Sequence, residues 1–408
     1  MQFELTARTD AGRALVALAE GLAADFATRA GEHDRDGSYP FENVWALGET
    51  GYLAAPVPRE LGGMGVESVH DLLVASTRLA RGDAALTIGV NMHLIPVISM
   101  AHRWRAAVLG GDERRAAAFG ASLERVALDG VVMAAAVSEH GQDLTRPATV
   151  ARRTPEGWTV DGRKTFVTMS PAATLLYTAV TFEDEDGAQR YGYAQIPADT
   201  PGVRMHDDWD ALGMRASGSQ SVSFEDVRLP AAALRGGFPA GRLTGDWMDR
   251  NLNAGAFHAA ASVGIAEAAH DGVVASLASR GGGTDSPRTQ MLAAESAIDL
   301  SAMRAVLDRS GALLDEHQVR SASAPVADDE VTALFAEVQS AKAFISEAAV
   351  RVVDRALAIT GGAGYMSRHP LSRAYRDVRA GAFMHPLGAN RAYEFIGRVA
   401  LGAEAELR

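Results

Sequence analysis

The sequence predicts an α+β fold that is mostly α: a helical N-terminal domain, a central β domain and a C-terminal helical bundle. Three changes of texture carry this. Residues 1–125 are rich in Ala, Leu and Arg, and Leu15, Leu18, Leu22 and Phe26 recur at the three- and four-residue spacing of one helix face. From about Val131, short runs of Val, Thr, Tyr and Phe alternate with polar residues, which is the period of a half-buried strand. From about Trp247, long Ala-rich segments return. The expected domains are 1–125, 126–238 and 239–408.

In the first domain, Pro56-Val57-Pro58 and Gly62-Gly63-Met64-Gly65 punctuate the helices as loops. In the second, strands are expected at Trp158-Thr159-Val160, at Leu175 to Val180 and at Ser221 to Phe224, with turns at Asp161-Gly162 and Asp186-Gly187. In the third, breaks at 281–287 and at Ser321 to Pro325 divide the bundle.

Composition narrows the function. The chain has 408 residues, 47% apolar and 22% charged, enough for two or three cores. With no cysteine, disulfides, thiolate metal sites and cysteine nucleophiles are excluded. The net charge of −12 argues against a nucleic-acid surface, which needs clustered cations. No apolar run is read as spanning a bilayer, and the N-terminus lacks the pattern of a secretory signal. The expectation is a cytoplasmic protein with no nucleic-acid or membrane partner.

The motifs say more. Gly361-Gly362-Ala363-Gly364-Tyr365 precedes Tyr375-Arg376-Asp377 and Phe383-Met384-His385-Pro386. By pattern alone the glycine run is a helix C-terminus or a phosphate-approaching turn. Arg376-Asp377 is expected as an ion pair that orients the chain before His385. Together with Leu212-Gly213-Met214-Arg215 and Val137-Ser138-Glu139, these segments resemble the acyl-CoA dehydrogenase superfamily over nearly the whole chain. That resemblance implies a helical domain, a central β-barrel and a C-terminal four-helix bundle around a flavin, assembled as a homo-oligomer (dimer or tetramer). It assigns Val137 and Ser138 to the flavin's edge, Phe166 and Thr168 to its face, and Arg280, Gly361 and Gly362 to the remainder of the cofactor. The segment after Arg280 and the residue at Ala358 depart from the pattern that holds the adenosine half of FAD. FMN is therefore expected, with loosely held FAD possible.

Dehydrogenation in this family needs a glutamate base. Its usual position is His385, and its alternative position falls at Asn253 or Ala254. Glu394 is read as a polar face residue of the last helix. His93 and His385 each read either as a core or cap histidine or as a site residue. In the oxygen-using branch of the superfamily, two histidines and a serine at the places of His93, His385 and Ser138 surround the flavin's reactive edge. The resemblance thus implies the oxygenase component of a two-component flavin-dependent monooxygenase. Reduced flavin from a separate reductase and O2 would form a C4a-(hydro)peroxyflavin that oxidises a small organic substrate, with His385, His93 and Ser138 as catalytic residues. The alternatives are an acyl-CoA or acyl-carrier dehydrogenase with another base, and a catalytically silent member.

Overall fold

The computed structural model describes residues 3–404 except 142, 281 and 282. The first domain comprises α1 (Asp10–Phe26), α2 (Ala30–Asp36), α3 (Phe41–Glu49), α4 (Val69–Gly82), α5 (Ala84–Leu109) and α6 (Glu113–Leu128). Side-chain caps start several of them: Thr9 accepts from Gly12 N at 2.9 Å at α1, and Asp83 accepts from Leu86 N at 3.1 Å at α5. Helix α5 corrects one expectation. By length and composition it could cross a bilayer, with a mean hydropathy of 1.6 in its most apolar window, but 83% of that window is buried inside the protein. It is apolar because it threads between the domains.

The central domain holds β1 (Met133–Ala136), β2 (Val150–Thr154), β3 (Gly157–Val167), β4 (Leu175–Glu183), β5 (Gln189–Pro197), β6 (Val203–Met205), β7 (Gln220–Pro230) and β8 (Leu234–Pro239). They form one sheet in the order β6-β7-β3-β2-β4-β5-β8, with β1 parallel to β4. This is the central β domain expected between two helical ones, and among the described residues no ladder joins its short edge strands β6 and β8. Asp186-Gly187 forms the β4–β5 turn as expected. Asp161-Gly162 does not: it lies inside β3, at a register shift against β7. Gly162 takes φ +151°, which L side chains rarely adopt, and a Cβ there would meet Thr149 Oγ1 at 2.5 Å, so glycine is required by backbone conformation and close approach rather than by a turn.

The C-terminal bundle packs α7 (Gly245–Arg280), α8 (Pro287–Ser323), α9 (Asp328–Thr360) and α11 (Ala389–Ala400), with the short α10 (Pro370–Asp377) leading into a 3₁₀ segment at Val378–Phe383. Its core is aromatic: Phe335 meets Trp247 at 6.0 Å and Phe395 at 5.3 Å between centroids, both edge to face. Glu267 of α7, fully buried, ties the first domain to the bundle through Arg81 at 2.6 Å and Arg304 at 2.7 Å.

Candidate flavin and substrate site

The parallel pair β1–β4 and the long β3 leave the ends of β1 and β3 side by side. Thr165 N donates to Ser138 O at 2.9 Å, so Ser138 and Phe166 emerge next to each other. An ion pair locks this corner: Lys164 Nζ, with no exposed surface, donates to Glu139 Oε1 at 2.6 Å. Burial pushes the Lys164 ammonium down to about 8, against the pull of Glu139. Burial would raise the Glu139 carboxyl, but Lys164 and the donors Thr149 and Ala148 hold it below the usual carboxylate range. Phe166 carries a left-handed backbone (φ +54°) and leaves 59% of its surface exposed, unusual for an aromatic residue at the end of a strand. Its ring meets Trp209 edge to face at 6.0 Å.

The loop before β7 forms the next wall. Gly213 lies against the backbone of Arg376, where a Cβ would stand 2.3 Å from a carbonyl oxygen. Met214 N donates to Asp377 Oδ1 at 2.6 Å, and Trp209 Nε1 donates to Met214 O at 3.0 Å. The Leu-Gly-Met-Arg motif is thus a clasp between the β domain and the bundle. This corrects the expected Arg376–Asp377 pair. Arg376 instead pairs with Asp34 of α2, at 2.8 Å through Nη1, and Asp377 turns inward to the Met214 amide. Burial pushes the Asp377 carboxyl up to about 7.

The bundle contributes His385. Lys342 of α9 fixes the chain on both sides of it, donating to Leu387 O at 2.8 Å and to Met384 O. His385 Nε2 donates to Asn251 Oδ1 at 2.9 Å. Burial, then the neighbouring Lys342, pushes the imidazole down to about 3, so it is neutral near pH 7.

Ser138, Phe166, Thr168 and His385 line one cavity of about 360 Å³, together with Met92, Trp209, Leu212, Met214, Ser219, His258, Arg376 and Arg379. Thr168 Oγ1 and Ser219 Oγ are hydrogen-bonded at 2.9 Å. No carboxylate lines the cavity among the described residues. A smaller space of about 50 Å³ adjoins it behind His385, lined by Val137, Asn251 and Ala254. These residues fit a flavin: an apolar ring to cover it, hydroxyls for its polar edge, a neutral imidazole beside it and no anion to repel its reduced form.

Not every expected residue joins this set. His93 does not line the cavity; its neighbour Met92 does. Both His93 nitrogens are spent on backbone, Nε2 donating to Leu53 O at 2.9 Å and Nδ1 accepting from Met133 N at 2.9 Å, in a fully buried position. Its expected catalytic role is corrected to that of a core histidine joining α5 to the β domain. Gly361 and Gly362 are exposed at the C-terminus of α9, where Gly361 takes φ +69°, and do not line the cavity. Arg280 ends α7, and its side chain lies outside the described residues. Glu394 sits on α11 and does not line the cavity. Sequence reasoning missed Asn251 and His258. Their spacing of seven on α7 puts them on one helix face, and that periodicity was the available signal.

Three family models match the chain: the acyl-CoA dehydrogenase N-terminal domain over 9–104, the middle domain over 133–227 and the C-terminal domain over 256–386. The chain belongs to the acyl-CoA dehydrogenase family. It is accordingly a flavin-dependent oxidoreductase. Among its relatives, it is 34% identical to the amino sugar nitrososynthase RubN8 of Streptomyces rubradiris, covering 98% of this chain and 92% of that protein. It is 33% identical to the L-evernosamine nitrososynthase of a Micromonospora species, with the same coverage of 98% and 92%. The structure of KijD3 in complex with FMN and dTDP-3-amino-2,3,6-trideoxy-4-keto-3-methyl-D-glucose superposes with a TM-score of 0.89 at 31% identity, covering 98% of this chain and 96% of that one.

Proposed function

We propose that this protein is the oxygenase component of a two-component flavin-dependent monooxygenase, taking reduced FMN from a separate reductase and oxidising the amine of a nucleotide-linked amino sugar. One observation carries the oxygenase reading: Ser138, Phe166, Thr168 and His385 share a cavity that no carboxylate enters among the described residues. Desaturation of a thioester requires a base within hydrogen-bond reach of the α-carbon. A neutral imidazole hydrogen-bonded to Asn251 is poorly suited to that task. The amine and the FMN are supported by the similarity to the two nitrososynthases and to KijD3.

When bound, the reduced flavin would supply the electrons that activate O2. The chain's own residues do the rest. Phe166 and Trp209 exclude water from one face. Ser138 and Thr168 offer hydroxyls to the ring edge. His385 keeps its Nε2 proton on Asn251, which leaves Nδ1 a neutral acceptor. Without a carboxylate counter-ion, the cavity favours an amine as its free base, the form with a lone pair to give. A homo-oligomer in the cytoplasm belongs to the same proposal.

The test mixes chemically reduced FMN, O2 and a dTDP-linked amino sugar with the protein and follows hydrogen peroxide and oxidised sugar. The expected result is sugar oxidation with little peroxide, and a shift to peroxide in His385→Ala. Dihydroflavin consumed at its free-solution rate, unchanged by His385→Ala, refutes the proposal. Anaerobic bleaching of bound flavin by an acyl-CoA would establish a dehydrogenase instead.

A further inference from the structure

His258 projects from the middle of α7 into the cavity and is only 4% exposed. Neither ring nitrogen has a hydrogen-bond partner. A buried imidazole left this way loses its hydration on folding with no return, so such groups call for an explanation.

Three polar neighbours are committed elsewhere, and the buried Gln339 and Ser346 side chains on the facing α9, themselves with unpartnered atoms, make no hydrogen bond to the ring. Lys342, close enough to act on the ring electrostatically, spends its donors on the carbonyls of Met384 and Leu387. His385 is held by Asn251. Ser262, one turn along α7, donates to the His258 backbone oxygen at 3.2 Å rather than to its ring. Charge is equally restrictive. Burial, with Lys342 and His385 alongside, pushes the imidazole well down, so it is neutral. A neutral imidazole offers one donor and one acceptor.

We infer that His258 is a ligand-contacting residue of this cavity, held ready for an uncharged polar group that meets one of its two diverging ring nitrogens as donor or acceptor. The inference rests on the proposed function for the identity of that group. Two sources share the chemistry: the N–H and carbonyl edge of the isoalloxazine, and the free-base nitrogen of the amino sugar with an adjacent oxygen. A carboxylate or phosphate is not matched, because the ring cannot offer two donors while neutral.

The test compares wild type, His258→Leu and His258→Gln by thermal melting without ligand, and by titration with FMN alone and with dTDP-linked amino sugar alone. Leucine replaces an unpartnered polar group with an apolar one, so the ligand-free melting temperature is expected to stay the same or rise. Affinity for one probe is expected to fall at least tenfold in His258→Leu and to recover substantially in His258→Gln, which keeps a donor and an acceptor. The probe affected names the source. A clear fall in melting temperature, or failure of His258→Leu to fold, overturns the inference, since it shows a structural partner. So does unchanged affinity for every probe that wild type binds. Wild type binding FMN but no amino sugar sinks the amine reading alone, and the FMN titration then decides His258. If wild type binds neither probe the proposed function falls, and the ligand-free melting comparison still decides.

Discussion

His93→Leu separates a structural histidine from a catalytic one. The imidazole is the sole side-chain link in a relay from Leu53 O through the ring to Met133 N, all of it buried. Leucine fills much of the volume but returns neither hydrogen bond. Leaving a buried carbonyl and a buried amide unpaired costs about 1–3 kcal/mol each, so the folded state should lose roughly 3 kcal/mol or more. At about 2 °C per kcal/mol in a chain of this size, the melting temperature should fall by about 5 °C or more near neutral pH. A second signature is pH. Burial holds His93 at about 4 against 6.5 when free, so between those values the unfolded chain binds the extra proton. Stability from this group is present above pH 6.5, is lost as pH falls towards 4, and falls no further below that. That component amounts to roughly 3 kcal/mol at about 1.36 kcal/mol per pH unit. It should vanish in the variant, so the two melting curves should converge in acid. Circular dichroism melts at pH 7.5 and pH 5, with turnover per folded enzyme, make the comparison. The reasoning fails if His93→Leu melts like wild type while turnover collapses.

Two further substitutions test the frame of the site. Glu139→Gln strands a fully buried Lys164, and breaking such a pair from one side costs about 3–5 kcal/mol. In Glu139→Gln/Lys164→Met the loss should be smaller than in the single variant, as chemical denaturation would show. Asp377→Asn keeps an oxygen for the Met214 amide but has no charge to bury. Because burial raises the Asp377 carboxyl to about 7, the folded state binds the extra proton and wild type loses stability as pH rises from the ordinary carboxylate range to 7. The variant should therefore gain on wild type as pH rises towards 7, with the difference constant above that, and equal losses in both proteins between pH 5 and 7 would refute this.

The three-part order of the chain was legible from local sequence, because helical and strand periods are properties of neighbouring residues. The family was legible too, since Gly213 and Asp377 are required wherever one backbone presses on another and a buried amide needs an acceptor. Ser138, Phe166 and Thr168 were singled out through the Val-Ser-Glu and Lys-Thr-Phe-Val-Thr segments that hold them, and His385 through its distance from Arg376; the four line one cavity. What local sequence could not supply was direction. Met92 and His93 are adjacent on α5, and only the packing of that helix turns one to the cavity and the other to Leu53 and Met133. Arg376 and Asp377 are adjacent charges of opposite sign, yet tertiary contacts send one to Asp34 and the other to Met214. His258 was one histidine among eleven until the fold left it buried, facing a cavity and unpartnered. Sequence by itself determined which chemistry the chain carries and in what framework. Which side chains meet was decided by tertiary structure alone, because burial and pairing are set by residues far apart along the chain.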